Sequence, residues 1–110
     1  MNPRFTIGIP AYKASFLREC IDSILSQTFK DFELIIVNDA SPENLDSIIS
    51  SYDDTRIRYY KNDKNCGAEN VIDNWNKCLS FANGDYFILM GDDDKLDEDY
   101  LSEFNKIITA

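Results

Sequence analysis

Apolar runs alternate with amphipathic stretches from one end of the chain to the other, which predicts an α/β fold: a doubly wound, mostly parallel sheet with helices on both faces. Two observations carry the prediction. Leu34-Ile35-Ile36-Val37 is a continuous apolar run, as expected for a central parallel strand covered on both sides. Phe16, Leu17, Cys20, Ile21, Ile24 and Leu25 recur at helical spacing just before it.

The elements then read in order. Phe5-Thr6-Ile7-Gly8-Ile9 is a first strand, which Pro10 is expected to stop. The first helix runs from about Ser15 to Gln27, and the buried strand Leu34 to Val37 follows. Ser41-Pro42 has the signature of an N-cap with proline at the first helical position, opening a helix to about Tyr52. Ile57-Arg58-Tyr59-Tyr60 is a shorter and more polar strand, suited to an edge. Ile72, Trp75, Leu79 and Ala82 mark a third helix, closed by Asn83-Gly84. Tyr86-Phe87-Ile88-Leu89-Met90 is the fourth strand, and Leu101, Phe104, Ile107 and Ile108 mark the last helix.

With 110 residues, 44% of them hydrophobic, the chain suffices for one domain with a real core. A net charge of −9 argues against nucleic acid and against an anionic membrane surface, both of which call for a surplus of Lys and Arg. Cys20, Cys66 and Cys78 lack metal-type spacing, and Cys20 and Cys78 fall on apolar helix faces as small hydrophobes, so a reducing cytoplasm is the expected compartment. Met1-Asn2-Pro3-Arg4 leads directly into a strand, with no leader-like apolar segment, and no run approaches the ~20 apolar residues of a membrane span. Histidine is absent, so acid–base chemistry or metal binding must rest on carboxylates.

In a doubly wound sheet, ligands bind outside the carboxyl ends of the strands. The polar residues at those ends are Tyr12-Lys13, Asp39, and Asp92-Asp93-Asp94. Three adjacent carboxylates repel one another, and a divalent cation with a preference for hard oxygen offsets that charge. An acidic helix start explains Asp97, Glu98 and Asp99, but it explains poorly a triplet packed at a strand end. A calcium loop fails because Leu96 and Asp97 stand where an oxygen ligand and the turn glycine are required.

Asp39 has two readings: a turn partner for the Ser41 backbone, or an acceptor for the imide N–H of a uracil-like base. Tyr12 either covers apolar surface or stacks on a base, with the short Ala11 letting a ligand approach the backbone. Asn65-Cys66-Gly67 is either a turn or a set of amide donors for an anion ahead of the third helix.

Taken in order, Ile9-Pro10-Ala11-Tyr12-Lys13, Ser23-Ile24-Leu25-Ser26-Gln27-Thr28-Phe29, Leu34 through Ser41, Gly84-Asp85-Tyr86 and the aspartate cluster resemble the N-terminal half of family 2 glycosyltransferases, of GT-A fold. The resemblance covers about Phe5 to Tyr100. It implies a nucleotide-sugar donor site with Pro10, Ala11 and Tyr12 at the base and ribose, and Asp39 on the base, commonly uracil. Gly91-Asp92-Asp93 falls at the family's Asp-x-Asp position, which makes Asp93 the implied ligand of Mn²⁺ or Mg²⁺, with Asp92 nearer the ribose or a bound water. Two positions depart from the pattern: Gly91 replaces a frequent first aspartate, and Trp75-Asn76 stands where relatives often show Arg-Asn. A cation for the diphosphate is thereby lost, leaving Lys13 or Lys95 as substitutes.

The resemblance further implies inverting transfer of a sugar, UDP linkage of the donor, and a sugar or glycolipid acceptor, in cell-surface polysaccharide synthesis. The catalytic base is expected beyond residue 110, so residues 1–110 read as the donor-binding part of a longer domain, peripheral to the inner face of the membrane in the full-length protein. Apolar helix or sheet-edge surface left by such a truncation makes a homodimer an expectation too. Two other readings compete. A signalling receiver domain needs acidic residues after strand one and a phosphoacceptor after strand three, where this chain has Pro-Ala-Tyr-Lys and Lys61-Asn62. A non-catalytic nucleotide- or metal-binding module would use the same rim. Residues 1–110 alone are expected to show negligible sugar transfer, which an assay with radiolabelled nucleotide sugars checks.

Overall fold

The structure is a computed structural model that describes residues 3–62 and 71–109, with only the backbone of Val71, Ile72 and Asp73. The Asn65-Cys66-Gly67 loop lies outside the described residues. Eight elements alternate: β1 (Phe5–Ala11), α1 (Leu17–Leu25), β2 (Phe32–Asn38), α2 (Leu45–Ser50), β3 (Ile57–Lys61), α3 (Val71–Ser80), β4 (Tyr86–Leu89) and α4 (Tyr100–Thr109). The strands form one sheet in the order β3-β2-β1-β4, and every pairing is parallel.

The alternation of side chains along β2 divides the core. Leu34 and Ile36 point to the face that also buries Leu17, Cys20, Ile21 and Ile24 of α1, Leu45 of α2 and Leu101 of α4. Ile35 and Val37 point to the opposite face, where they meet Cys78 of α3 together with Tyr60, Phe81 and Phe87. An unbroken apolar run is therefore what a strand in this position requires. Each such fully buried aliphatic side chain contributes roughly 1.5–3 kcal/mol.

The first strand does not stop at Pro10. It continues to Ala11, with Pro10 level with Val37 and Ala11 level with Asn38. Gly8 C=O accepts from Met90 N–H on the β4 side, whereas Ala11 C=O accepts from Asp39 N–H on the β2 side. By alternation the nitrogen of Pro10 faces β4, whose pairing with β1 has already ended at Gly8 with Leu89. Proline's missing donor is not needed there.

The second helix also starts later than expected. Its cap is Asn44, whose side chain accepts from Ser47 N–H at 3.2 Å, while the Ser41 hydroxyl is engaged elsewhere at the rim. Similarly, α1 starts at Leu17 and ends at Leu25, which leaves Gln27 beyond the helix to serve another role.

At the opposite edge from the strand exits, Glu33 is 7% exposed and fully partnered. It accepts from Thr6 Oγ1 at 2.6 Å, from Asn83 N–H at 2.5 Å and from Arg58 at 2.9 Å. The Thr6 hydroxyl accepts in turn from Gly84 N–H at 2.8 Å. The chain passes so near β1 that a Cβ on Gly84 would lie 2.6 Å from Thr6 N, so only glycine fits. Although burial alone would raise it, the hydrogen bonds from Thr6, Asn83 and Arg58 hold the Glu33 carboxyl below its ordinary 4.5. A carboxyl so depressed stabilises the fold above its unfolded pKa, and that contribution disappears as pH falls through the folded value. Glu33→Gln is therefore expected to lose about 1–3 kcal/mol in urea unfolding at pH 7. The difference from wild type should shrink in the same measurement below about pH 4.

Candidate functional site

Because β1 is paired on both sides, its exit is the centre of the carboxyl rim, and the loop Tyr12–Ala14 is held from two directions. From the β4 side, one oxygen of Asp92, Oδ2, accepts from both Tyr12 N–H and Lys13 N–H, each at 2.8 Å. From the β2 side, Ser41 Oγ donates to Tyr12 C=O, and Glu43 Oε2 accepts from Ala14 N–H at 2.7 Å. Three strand-end loops thus meet at one place. Tyr12, 39% exposed, stands on this junction directly after Pro10 and Ala11 at the end of β1.

The three aspartates divide into different roles. Asp92 staples the rim and keeps Oδ1 as its remaining acceptor. Asp94 closes its own turn: its N–H donates to Gly91 C=O at 3.2 Å and its carboxylate accepts from Gly91 N–H at 3.0 Å. Asp93 is exposed and makes no hydrogen bond or ion pair with any described residue. Its Oδ1 folds back over Gly91, where a Cβ would come within 3.1 Å of it and 3.2 Å of Asp94 Oδ2. A side chain at position 91, where glycine is a departure at the level of sequence, would be a tight contact that the exposed Asp93 and Asp94 carboxylates relieve only by shifting a few tenths of an ångström.

Beneath the turn, Cys20 Sγ lies 3.6 Å from Gly91 C=O. Burial pushes the Cys20 thiol up to about 12, with the charges of Asp94, Asp92 and Asp93 adding to the shift. It is a protonated small hydrophobe, as expected of a buried cysteine.

Asp39 follows β2 at the same rim. The Ser41 backbone is not its partner: Asn38 Oδ1 accepts from Ser41 N–H at 2.9 Å, while Ala40 between them adopts a left-handed φ of 52°. Asp39 Oδ1 accepts instead from Asn62 Nδ2 at 3.0 Å. The Asn62 amide also donates to Asn74 Oδ1 at 2.8 Å, and its own oxygen accepts from Lys77 Nζ at 2.8 Å. Asn38 Nδ2 donates to the Tyr59 hydroxyl, which donates to Asp46 at 2.6 Å. The Tyr59 hydroxyl is raised to about 12, mainly by burial and then by its bond to Asp46.

Sequence reasoning missed Asn62, Asn74 and Lys77. The available signals were Asn62 directly after the third strand and the i, i+3 pair Asn74/Lys77 on one helical face. It also missed Gln27, fully buried, whose amide donates to Asp97 C=O at 2.6 Å and accepts from Leu101 N–H at 3.0 Å. Lys13 and Lys95 form no ion pair among the described residues. No three His, Cys, Asp or Glu side chains among the described residues are gathered into a metal-holding group.

Residues 6–109 match the family described as glycosyl transferase family 2. The chain belongs to that family. An uncharacterized glycosyltransferase of Rickettsia typhi is 37% identical over 94 residues, 84% of this chain and 28% of that protein. Glycosyltransferase GlyA of Streptococcus pneumoniae is 31% identical over 111 residues, 98% of this chain and 15% of its own length. WcaA of Escherichia coli, provisionally named for colanic acid biosynthesis, is 35% identical over 106 residues, 94% of this chain and 37% of WcaA. The chain thus spans between about a seventh and just over a third of these curated relatives.

Among solved structures, S. aureus TarS 1-349 superposes with a TM-score of 0.88 at 22% identity, over 96% of this chain and 32% of that one. The same protein in complex with UDP-GlcNAc gives 0.85 at 21% identity, over 96% of this chain and 31% of that one. At these identities the likeness establishes the fold, a GT-A-type parallel sheet with helices on both faces.

The differing jobs of the aspartates separate under mutation. Asp92→Ala is expected to lower stability by about 1–3 kcal/mol, since two N–H groups lose a charged acceptor. Amide exchange at Tyr12 and Lys13, followed by NMR, should accelerate in that variant. Asp93→Ala should leave both measurements unchanged.

Proposed function

We propose that the rim binds the nucleotide of a nucleoside-diphosphate sugar, UDP-linked, and supplies the donor site of an inverting glycosyltransferase. The observation that carries this reading is the double hydrogen bond from Tyr12 and Lys13 to Asp92, which draws the β1 and β4 exits together beside Asp93, itself without a partner among the described residues. Membership of the family and a fold shared with a UDP-GlcNAc-bound protein support it.

In this reading Tyr12 stacks on the base, with Pro10 and Ala11 lining the backbone approach to base and ribose. Asp39 accepts from the base, and Asp92 offers Oδ1 toward the ribose or a water. The residues present fit a divalent cation such as Mn²⁺ or Mg²⁺: Asp93 is an exposed hard-oxygen donor with no competing partner among the described residues. Such an ion, if held by Asp93, would supply positive charge beside the phosphates of a bound nucleotide. When bound, the cation neutralises charge developing on the leaving diphosphate. Asp93 would hold the ion, and the backbone-anchored Asp92 would keep the turn in place.

The whole protein would transfer the sugar to a hydroxyl on a sugar or glycolipid acceptor in cell-surface polysaccharide synthesis, at the cytoplasmic side of the membrane. The provisional naming of WcaA for colanic acid biosynthesis supports that setting. A homodimer would cover the exposed Ile107 and Tyr100 on α4.

Isothermal titration with UDP, with and without Mn²⁺, tests the site. Metal-dependent binding is expected, weakened about tenfold or more in Asp93→Ala. Failure to bind any nucleoside diphosphate, or an Asp93→Ala chain that binds as well as wild type, overturns the reading.

A further inference from the structure

We propose that Glu43 and Ser41 are positioning residues that seat Tyr12 as the platform for the base of the nucleotide, an inference that rests on the donor-site reading above and deepens it. The Tyr12 side chain makes no hydrogen bond and no ring contact with a described residue. Its place is therefore set by the backbone that carries it, from Tyr12 to Ala14. That backbone follows β1 and precedes α1, so neither a strand ladder nor a helix fixes it.

What fixes it is a set of side chains from the two neighbouring exits. On the β4 side, Tyr12 N–H and Lys13 N–H both donate to Asp92 Oδ2. Two bonds to a single oxygen make a pivot. On the β2 side, Ser41 Oγ donates to Tyr12 C=O and Glu43 Oε2 accepts from Ala14 N–H at 2.7 Å, which turns the pivot into a seat. The β2-side support is tied to the sheet. Ser41 Oγ also accepts from Glu43 N–H at 3.0 Å, and Ser41 N–H donates at 2.9 Å to Asn38 Oδ1, on a residue only 6% exposed at the end of β2. Asn38 Nδ2 in turn donates to the Tyr59 hydroxyl on β3. The seat of Tyr12 is thus referenced to two strands of the sheet through Ser41 and Glu43, neither of which needs to touch the ligand.

Charge and hydrogen bonding at Glu43 act on a nucleotide in opposite directions. Glu43 is an exposed carboxylate at the rim of a chain at −9, and a nucleoside diphosphate is an anion. Loss of the Glu43 charge by itself therefore favours binding. Loss of its hydrogen bond disfavours binding, because ordering of the Tyr12 segment is then left to the binding step. Glu43→Ala removes both. Glu43→Gln removes only the charge, since a glutamine amide oxygen still accepts from Ala14 N–H. A bystander carboxylate would give unchanged or tighter binding in both variants, whereas a positioning carboxylate gives a loss in Glu43→Ala alone.

The test is isothermal titration with UDP and Mn²⁺ on wild type, Glu43→Ala, Glu43→Gln and Ser41→Ala, at a temperature where urea unfolding shows every chain folded. Glu43→Ala should weaken UDP about tenfold, the order of one hydrogen bond to a charged group. Ser41→Ala should weaken it in the same direction, and Glu43→Gln should bind at least as tightly as wild type. In a Tyr12→Ala background, Glu43→Ala should change the affinity by less than about twofold, because its effect runs through Tyr12. A Glu43→Ala chain that binds UDP as well as wild type overturns the positioning role and leaves the donor site standing. So does a Glu43→Gln chain that loses as much as Glu43→Ala, or a full loss on top of Tyr12→Ala. A wild type that binds no UDP overturns the donor site and the positioning role together. Should Tyr12→Ala bind too weakly to titrate, the contrast between Glu43→Ala and Glu43→Gln decides. Should Glu43→Ala fail to fold, Ser41→Ala decides, weaker UDP binding supporting the seat and unchanged binding overturning it.

Discussion

The seven-residue parallel register between β1 and β2 is the constraint on which the rest of the molecule depends. It sets Ala11 level with Asn38, so that the two strands leave the sheet together and their loops emerge side by side. The shorter register with β4 ends earlier, at Gly8 and Leu89, which leaves the chain room to turn back toward β1. Slipping either pairing by one residue would reverse every side chain on the moved strand and pull Asp39 or Asp92 away from the Tyr12 loop. Core and site are therefore fixed by the same backbone ladder.

Much of this was legible because burial on both faces leaves a plain mark in sequence. Leu34 to Val37 could only be a covered strand, and the acidic triplet after Met90 stood out because like charges rarely crowd a strand end without reason. What was not legible depends on direction and on distant partners. Whether Pro10 ends a strand turns on which side its nitrogen faces, and local sequence does not record that. Ser41 has the composition of a helix cap, but its hydroxyl goes to Tyr12 C=O, so Asn44 takes the cap. Gln27 sits among apolar neighbours as a polar residue, and its partners lie 70 and 74 residues away. Asn62, Asn74 and Lys77 converge from two elements and look ordinary in each.

The triplet also shows how identical residues acquire different functions from backbone geometry alone. Asp92 binds peptide N–H groups of another strand, Asp94 binds its own turn, and Asp93 is left to the solvent. Their mutual repulsion is eased for two of them by peptide dipoles. The third, with no partner among the described residues, presents its negative charge outward in a chain already at −9.

The segment that carries these carboxylates is supported along its length by α1 and the residues just after it. Cys20 meets Gly91, Ser23 Oγ accepts from Leu96 N–H at 3.1 Å, the Gln27 side chain takes Asp97 and Leu101, and Thr28 N–H donates to Glu98 C=O at 2.9 Å. Mechanically it is a beam resting on several piers, not a flap on a hinge. A ligand arriving there meets carboxylates whose backbone is already ordered, and the entropy lost on association falls mainly on the ligand and on side-chain rotation. On this side, the rim is a stationary acidic ledge.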